Sequence, residues 1–317
     1  MTQKNNKFQC LLCGNQMKFL LIGSDLLYKT TTKTYSVYKC QNCGLEKIEP
    51  MPSAREISLF YPKTYYAYNA AAKAPLNFFG RLREKIIEIN YRKNVRKDLF
   101  YYLASIAQKS LSGLPLQLVQ NGKFLDIGCG DGYNMHLMKK YGWDTTGFEI
   151  GKQKKVGNIY YDSDINSIHF GKKFNFIRVW HVLEHVPNPR KFVKKISELM
   201  TADGAVMLGI PNTTSFNAYL FGKYWYNRDI PRHLYNYNPT NLTLLFKEYN
   251  LEPYSIRYVS AGGYIGSIQH TINTTFKTNY DLINNQILFL ITYPIDILCN
   301  FFKRGDSLAI TFRKVKE

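Results

Sequence analysis

Lys123-Phe124-Leu125-Asp126-Ile127-Gly128-Cys129-Gly130-Asp131-Gly132 is the stretch that decides the fold. An apolar run from Lys123 to Ile127 stops in three glycines spaced two apart, and a helical pattern starts at Tyr133. That order reads as a buried parallel strand turning tightly into a helix. Glycine removes the Cβ that would hold a ligand off the backbone. The helix start offers unpaired N–H groups and the positive end of its dipole. Such a turn holds a polar, nucleoside-type ligand at the C-terminal edge of a sheet.

The spacing is Gly-x-Gly-x-Gly, not the Gly-x-Gly-x-x-Gly of dinucleotide folds. Asp126 and Asp131 put negative charge at the loop, which suits a ligand with an ammonium group and repels a pyrophosphate. Gly147-Phe148-Glu149 ends a second apolar run on a carboxylate, where the next strand places an acid to grip two ribose hydroxyls.

These two strings resemble motif I and the acidic motif of class I S-adenosylmethionine-dependent methyltransferases, from about Gly122 to the C-terminus. The resemblance implies an α/β fold, a Rossmann-like seven-stranded sheet, and S-adenosylmethionine as cofactor. It implies a cofactor pocket built from Asp126, Gly128, Cys129, Gly130, Gly132, Tyr133, Asn134, Glu149, Asp164, Ile165 and Trp180. One departure stands out. Family members carry a helix after the acid, but residues 151–157 hold two glycines in seven positions and cannot make one. Asp162 and Asp164 both suit the adenine side, with Asp164-Ile165 nearer the family's pattern.

The chain has 317 residues, enough for one large domain and a smaller one. Strand candidates are Phe124–Ile127, Thr145–Phe148, Asn158–Tyr161, Phe174–Val179, Ala205–Ile210, Leu251–Val259 and Ser307–Lys314. Helices are expected over Tyr133–Tyr141, Pro189–Leu199 and from Pro239 to near Asn250. The methyltransferase region is assigned to residues 116–317, after an aromatic and helical connector over 51–115.

Six cysteines are present, and four form two Cys-x-x-Cys pairs, Cys10/Cys13 and Cys40/Cys43, each followed by glycine. Two thiolate pairs at this spacing give the four ligands of a tetrahedral structural zinc site. Residues 1–50 therefore read as a zinc ribbon, with a hairpin strand between Thr30 and Tyr38. Such a site stabilises a segment too small to build a core. This use of cysteine points to a reducing compartment, the cytoplasm, and no N-terminal targeting segment is expected. Beyond Pro50-Met51-Pro52, Tyr61-Pro62-Lys63-Thr64-Tyr65-Tyr66 crowds aromatics together. Ribbon, connector and tyrosines resemble the front end of methyltransferases of bacterial surface-polysaccharide and sugar modification. That implies a sugar-type acceptor, nucleotide- or lipid-linked.

The formal charge is +19, from 42 Lys and Arg against 23 Asp and Glu. It fits an anionic partner, and equally a biased composition with spread-out lysines. An RNA methyltransferase, with ribbon and basic surface holding phosphates, is the rival reading.

The fourth strand runs into Trp180-His181-Val182-Leu183-Glu184-His185, at the edge where reacting groups belong. His181-x-x-Glu184-His185 resembles the segment of methyltransferases that act on oxygen or carbon of small molecules. An alcohol is a poor nucleophile until a base takes its proton, and imidazole suits neutral pH. The candidate base is His185, supported by Glu184, with His233 as its rival and His181 beside the cofactor. Related small-RNA and ubiquinone-pathway enzymes imply an alternative, a divalent ion on Glu184, His185 and His233. A long insertion, Thr213 to Tyr237, reads as an acceptor-binding lid, with Tyr224 and Trp225 as stacking surfaces and Arg232 holding a phosphate or carboxylate. The late segment Leu282–Phe302 is too polar to span a bilayer. It is expected to pack on the sheet or in a dimer seam, with an anionic membrane surface as the alternative.

Overall fold

The computed structural model describes residues 8–62, 122–151, 155–260 and 262–315. The tyrosines after residue 62 and the helical connector expected between Leu76 and Ala107 lie outside them.

The large sheet begins with β4 (Lys123–Ile127), whose residues after Lys123 are all buried. It continues through β5 (Asp144–Ile150), β6 (Lys155–Val156), β7 (Ile159–Asp162), β8 (Phe174–Trp180), β9 (Met200–Pro211), β11 (Leu251–Val259) and β12 (Ser307–Lys314). The order across it is β11-β12-β9-β8-β4-β5-β7-β6. The pairs β4/β5, β4/β8, β5/β7 and β8/β9 are parallel, and β12 runs antiparallel to both neighbours. This is the expected Rossmann-like sheet with its closing antiparallel strand. The eighth strand, β6, forms a two-residue pairing with β7 where the family's helix is missing. A hairpin needs only a short turn, so the glycine-rich segment can form it where a helix cannot nucleate.

Helices cover the sheet where sequence caps start them. Asn188 accepts the Lys191 N–H ahead of α3 (Pro189–Leu199), with Pro189 in its first turn. Asn238 and Asn241 form a reciprocal cap on α5 (Pro239–Lys247). On one face Phe124, Trp143 and Phe176 meet ring to ring. On the other, Phe246 stacks on Phe312 at 4.1 Å between α5 and β12.

The small N-terminal sheet holds β1 (Met17–Gly23), β2 (Tyr35–Cys40) and β3 (Glu46–Glu49). The middle strand begins at Tyr35, not at Thr30, because Asp25 draws the Thr30 N–H and hydroxyl into a turn. The fourth strand of this sheet, β10 (Tyr235–Asn236), comes from the insertion after β9 and pairs with β3. The ribbon and the insertion therefore share one sheet.

Candidate functional site

Four thiols meet at the tip of the ribbon. Cys10 Sγ lies 3.5 Å from Cys43 Sγ, and Cys13 Sγ lies 3.4 Å from Cys40 Sγ. Gly14 and Gly44 take φ of 70° and 73°, and their N–H groups return to Cys10 and Cys40 carbonyls. Each pair thus turns its thiols inward. Tetrahedral zinc with Zn–S of about 2.3 Å separates sulfurs by roughly 3.8 Å, so small outward shifts fit the ion. Asn238 and Asn241 both donate to the Cys43 carbonyl and tie this knuckle to α5.

The glycine loop is where the sequence places it. Gly128, Gly130 and Gly132 all have positive φ, and a Cβ on Gly128 would collide with Val182. Gly132 opens α2 (Tyr133–Lys140), with Tyr133 and Asn134 in its first turn. Glu149, at the end of β5, accepts the Gly130 N–H at 2.7 Å, so the acid and the loop touch. Burial pushes its carboxyl above the ordinary range. Cys129 is buried beneath the loop, against Gly147.

Asp126 is wholly buried and ion-paired to Arg178 at 2.9 Å. Among the described residues, its second oxygen and Asn134 Oδ1 are buried acceptors without a donor. Such atoms call for a donor, and a ligand ammonium or a water it holds supplies one. Cradle, acid and orphan acceptors therefore fit the expected cofactor. Trp180 lies half-buried against Gly209. Asp164 is drawn to local partners: it caps the turn Ile165–Ser167 and pairs with Lys191, while Ile165 is buried.

Opposite the loop, β8 ends at Trp180 and the chain turns through His181, whose φ is 51°. The turn Leu183–His185 buries Glu184 completely. Three imidazoles bear on it. His181 Nδ1 is 3.1 Å from Glu184 Oε1, and His233 Nε2 is 4.0 Å from the same atom. The His185 and His233 rings stand 4.7 Å apart. Each Nδ1 has an acceptor: Glu184 for His181, the Arg232 carbonyl for His185, the Asn227 carbonyl for His233. Every Nε2 is then the lone-pair nitrogen. Burial raises the Glu184 carboxyl, but the hydrogen bond and charge of His181, with His185 and His233, bring it down to about 2. Burial, then the charge of His185, takes His233 down to about 4.

The structure corrects the expected pairing. Glu184 hydrogen-bonds His181, not His185, because the left-handed turn at His181 folds its ring back over the carboxylate. The Tyr61 hydroxyl reaches His185 Nδ1 at 3.0 Å. Its crowded aromatic stretch was noticeable in sequence, but its partner is 124 residues away.

Trp225 and Arg232 are corrected too. Trp225 is buried, its Nε1 donating to Asp306 at 2.5 Å, so it offers no open face for stacking. Asp306 is carried up to about 6 by burial, against the Trp225 and Ser215 bonds. Arg232 is sealed between Asp25 and Asp229, each at 2.6 Å from Nη2, with no reach toward a substrate anion. Tyr224 remains half-buried, under the Lys223 ammonium. No local signal marked Asp25, since a lone acid in a loop is ordinary until its partner is known.

Asp25 is raised by burial but brought down to about 2 by Arg232 and Thr30, from 3.8. A lowered acid contributes stability that is complete above its unfolded pKa and lost as pH falls through the folded one. The shift is worth about 2 kcal/mol. Asp25→Asn should cost about that much at pH 7, and this variant should lose less stability than the parent between pH 5 and 2. Urea unfolding across that range checks it.

A family model described as a methyltransferase domain matches residues 91–256, just over half of the chain. The mitochondrial ubiquinone biosynthesis O-methyltransferase of Arabidopsis thaliana is 32% identical over 106 residues, covering 29% of this chain and 33% of that protein. The Coxiella burnetii ubiquinone biosynthesis O-methyltransferase is 27% identical over 148 residues, covering 40% of this chain and 62% of that protein. This chain thus spans less than two thirds of either relative. Among solved structures, the Burkholderia thailandensis 1,6-didemethyltoxoflavin-N1-methyltransferase aligns over 89% of this chain and 96% of that one, at 12% identity and a TM-score of 0.43. An O-methyltransferase from a Brevibacillus brevis polyketide multienzyme covers 66% and 71%, at 18% identity and a TM-score of 0.42.

Proposed function

From the premise that this chain belongs to the methyltransferase-domain family, we propose that it moves the methyl group of S-adenosylmethionine to a hydroxyl oxygen of a small acceptor. The carrying observation is the fully buried Glu184 carboxylate, joined to the half-exposed His181 across from the glycine loop. The names of the ubiquinone-pathway relatives support oxygen as the receiving atom.

The sulfonium is the electrophile, so the enzyme must align the acceptor and take its proton. Gly128, Gly130 and Glu149 would hold the nucleoside. His181 is the general base: its Nδ1–H is fixed on Glu184, which leaves Nε2 as the lone-pair nitrogen of a partly exposed ring. The acceptor proton would pass to His181 Nε2 and the Glu184 charge would stabilise the imidazolium; S-adenosylmethionine, when bound, would supply the methyl group for that oxygen and leave as the thioether. Glu184, His185 and His233 also offer three ligand atoms within 4.8 Å of one another, each nitrogen oriented by a second partner. Those three residues would hold a divalent ion, which supplies Lewis acidity for a substrate oxygen when bound.

With Trp225 and Arg232 committed to the protein interior, the sugar-type acceptor rests on Tyr224 alone. An aromatic or alcohol hydroxyl on a small molecule is the reading the site supports best. The test is transfer of labelled methyl from S-adenosylmethionine to panels of catechols, simple phenols and nucleotide sugars. The expected product is a methyl ether of a non-sugar hydroxyl. Label on nitrogen only, or on nucleotide sugars only, would refute the proposal.

A further inference from the structure

The late apolar segment forms α7 (Gln286–Phe301), and one of its faces packs inward, with Phe289 beside Gly262, while the opposite face is bare. Its outward stripe is Ile287, Leu290, Ile291, Ile297, Leu298 and Phe301, all more than half exposed, with Phe301 at 77%. The spacing is that of one helical face. Its only acid, Asp296, is turned inward, 1% exposed, and accepts the Gly262 N–H at 3.0 Å. The usual arrangement is inverted: apolar side chains face out and the charge faces in. Isolated exposed apolar residues are ordinary, but a stripe running about 21 Å along a helix marks an interaction surface.

The surroundings indicate what covers it. Phe302, Lys303 and Arg304 follow directly and are exposed. Arg304 donates to the Thr214 carbonyl, and its own carbonyl accepts the Phe216 N–H. That brings in α4 (Phe216–Phe221), whose Tyr219 is 87% exposed beside Leu220. An apolar stripe edged by aromatics and cations, on a chain of net charge +19, complements an anionic lipid surface. A second copy would bring no carboxylate on its own stripe to meet those cations. No described helix is long and apolar enough to cross a membrane, so the helix would lie on the surface.

We infer that α7, with the exposed side of α4, docks this protein onto an anionic phospholipid surface. The insertion that contains α4 also carries His233, so docking would bring the acceptor side of the site toward the lipid.

The experiment is co-sedimentation of the full-length protein with vesicles of phosphatidylcholine alone or mixed with phosphatidylglycerol, without cofactor. Vesicle binding is read separately from methyl transfer, so failure here leaves the proposed chemistry untouched. The parent should bind mixed vesicles and bind neutral ones at least ten-fold more weakly. Leu298→Glu with Ile291→Glu, and separately Ile287→Glu at the other end of the stripe, should weaken binding ten-fold or more. Lys303→Asn should weaken it about five-fold. Unchanged S-adenosylmethionine binding shows that each variant is folded. A parent that ignores anionic vesicles, or variants that bind like it, would overturn the inference. So would a concentration-dependent dimer, seen by sedimentation velocity, that Leu298→Glu converts to a monomer without any vesicle binding.

Discussion

Glu184→Ala is expected to slow methyl transfer by about 10²- to 10⁴-fold, the usual contribution of a positioned base, while S-adenosylmethionine binds as before. The side chain has no exposed surface, and its Oε1 fixes His181. Removing it frees the His181 ring to rotate and leaves the new imidazolium without a counter-charge. Glu184→Gln keeps an acceptor for the His181 Nδ1–H and the shape of the site, but removes the charge. It should fall between parent and alanine variant. Gly130 and Glu149, which would hold the cofactor, lie on the other side, so calorimetric binding should stay within a factor of two or three. The decisive readout is single-turnover transfer with saturating cofactor. Alanine-variant rates within three-fold of the parent would remove His181 and Glu184 from the chemistry.

Cys40→Ser is expected to have the largest effect on stability. Zinc binding in small four-ligand modules is worth about 10 kcal/mol or more of folding free energy. The ribbon has little else: Val37, Leu45 and Ile48 are its fully buried centre. Damage should spread beyond it. Strand β3 pairs with β10 of the insertion, Glu46 is ion-paired with Arg228, and Asp25 with Arg232. Losing the ribbon strips Arg228 of Glu46 and leaves Arg232 with Asp229 alone, and a buried cation that loses its partner is strongly destabilising. Residues Tyr226 to His233 should therefore loosen together with residues 8–49. Hydrogen exchange should show both segments opening at once, and metal analysis should fall from one zinc per chain to none. A well-folded parent without zinc, or a serine variant melting like the parent, would dismiss the metal centre.

The elements with strong local rules were legible. The glycine loop, the acid ending β5, and both proline-opened helices fall where the sequence puts them. Leu251–Val259 and Ser307–Lys314 form the closing strands with those bounds. Each depends on neighbours within a few residues: a cap, a turn, an alternation of apolar and polar. The glycine-rich gap after Glu149 was also readable as the absence of a helix, although not as the small strand that replaces it.

Roles set by distant partners were not legible. Arg232 and Trp225 look like ligand-facing residues in a loop until Asp25, 207 positions away, and Asp306, 81 positions away, close over them. His181 and Glu184 are only three residues apart, but their pairing depends on the left-handed turn at His181, which no residue of the local sequence signals.

By itself, the sequence determined the parallel sheet, the nucleoside-type cradle and the four-thiol module, because short-range geometry and residue chemistry suffice for those. Only the tertiary structure decided which imidazole the carboxylate serves, which arginine is already satisfied, and which face of α7 is left bare. A buried charge must be neutralised by whatever folding brings beside it, and a linear sequence does not state what that will be.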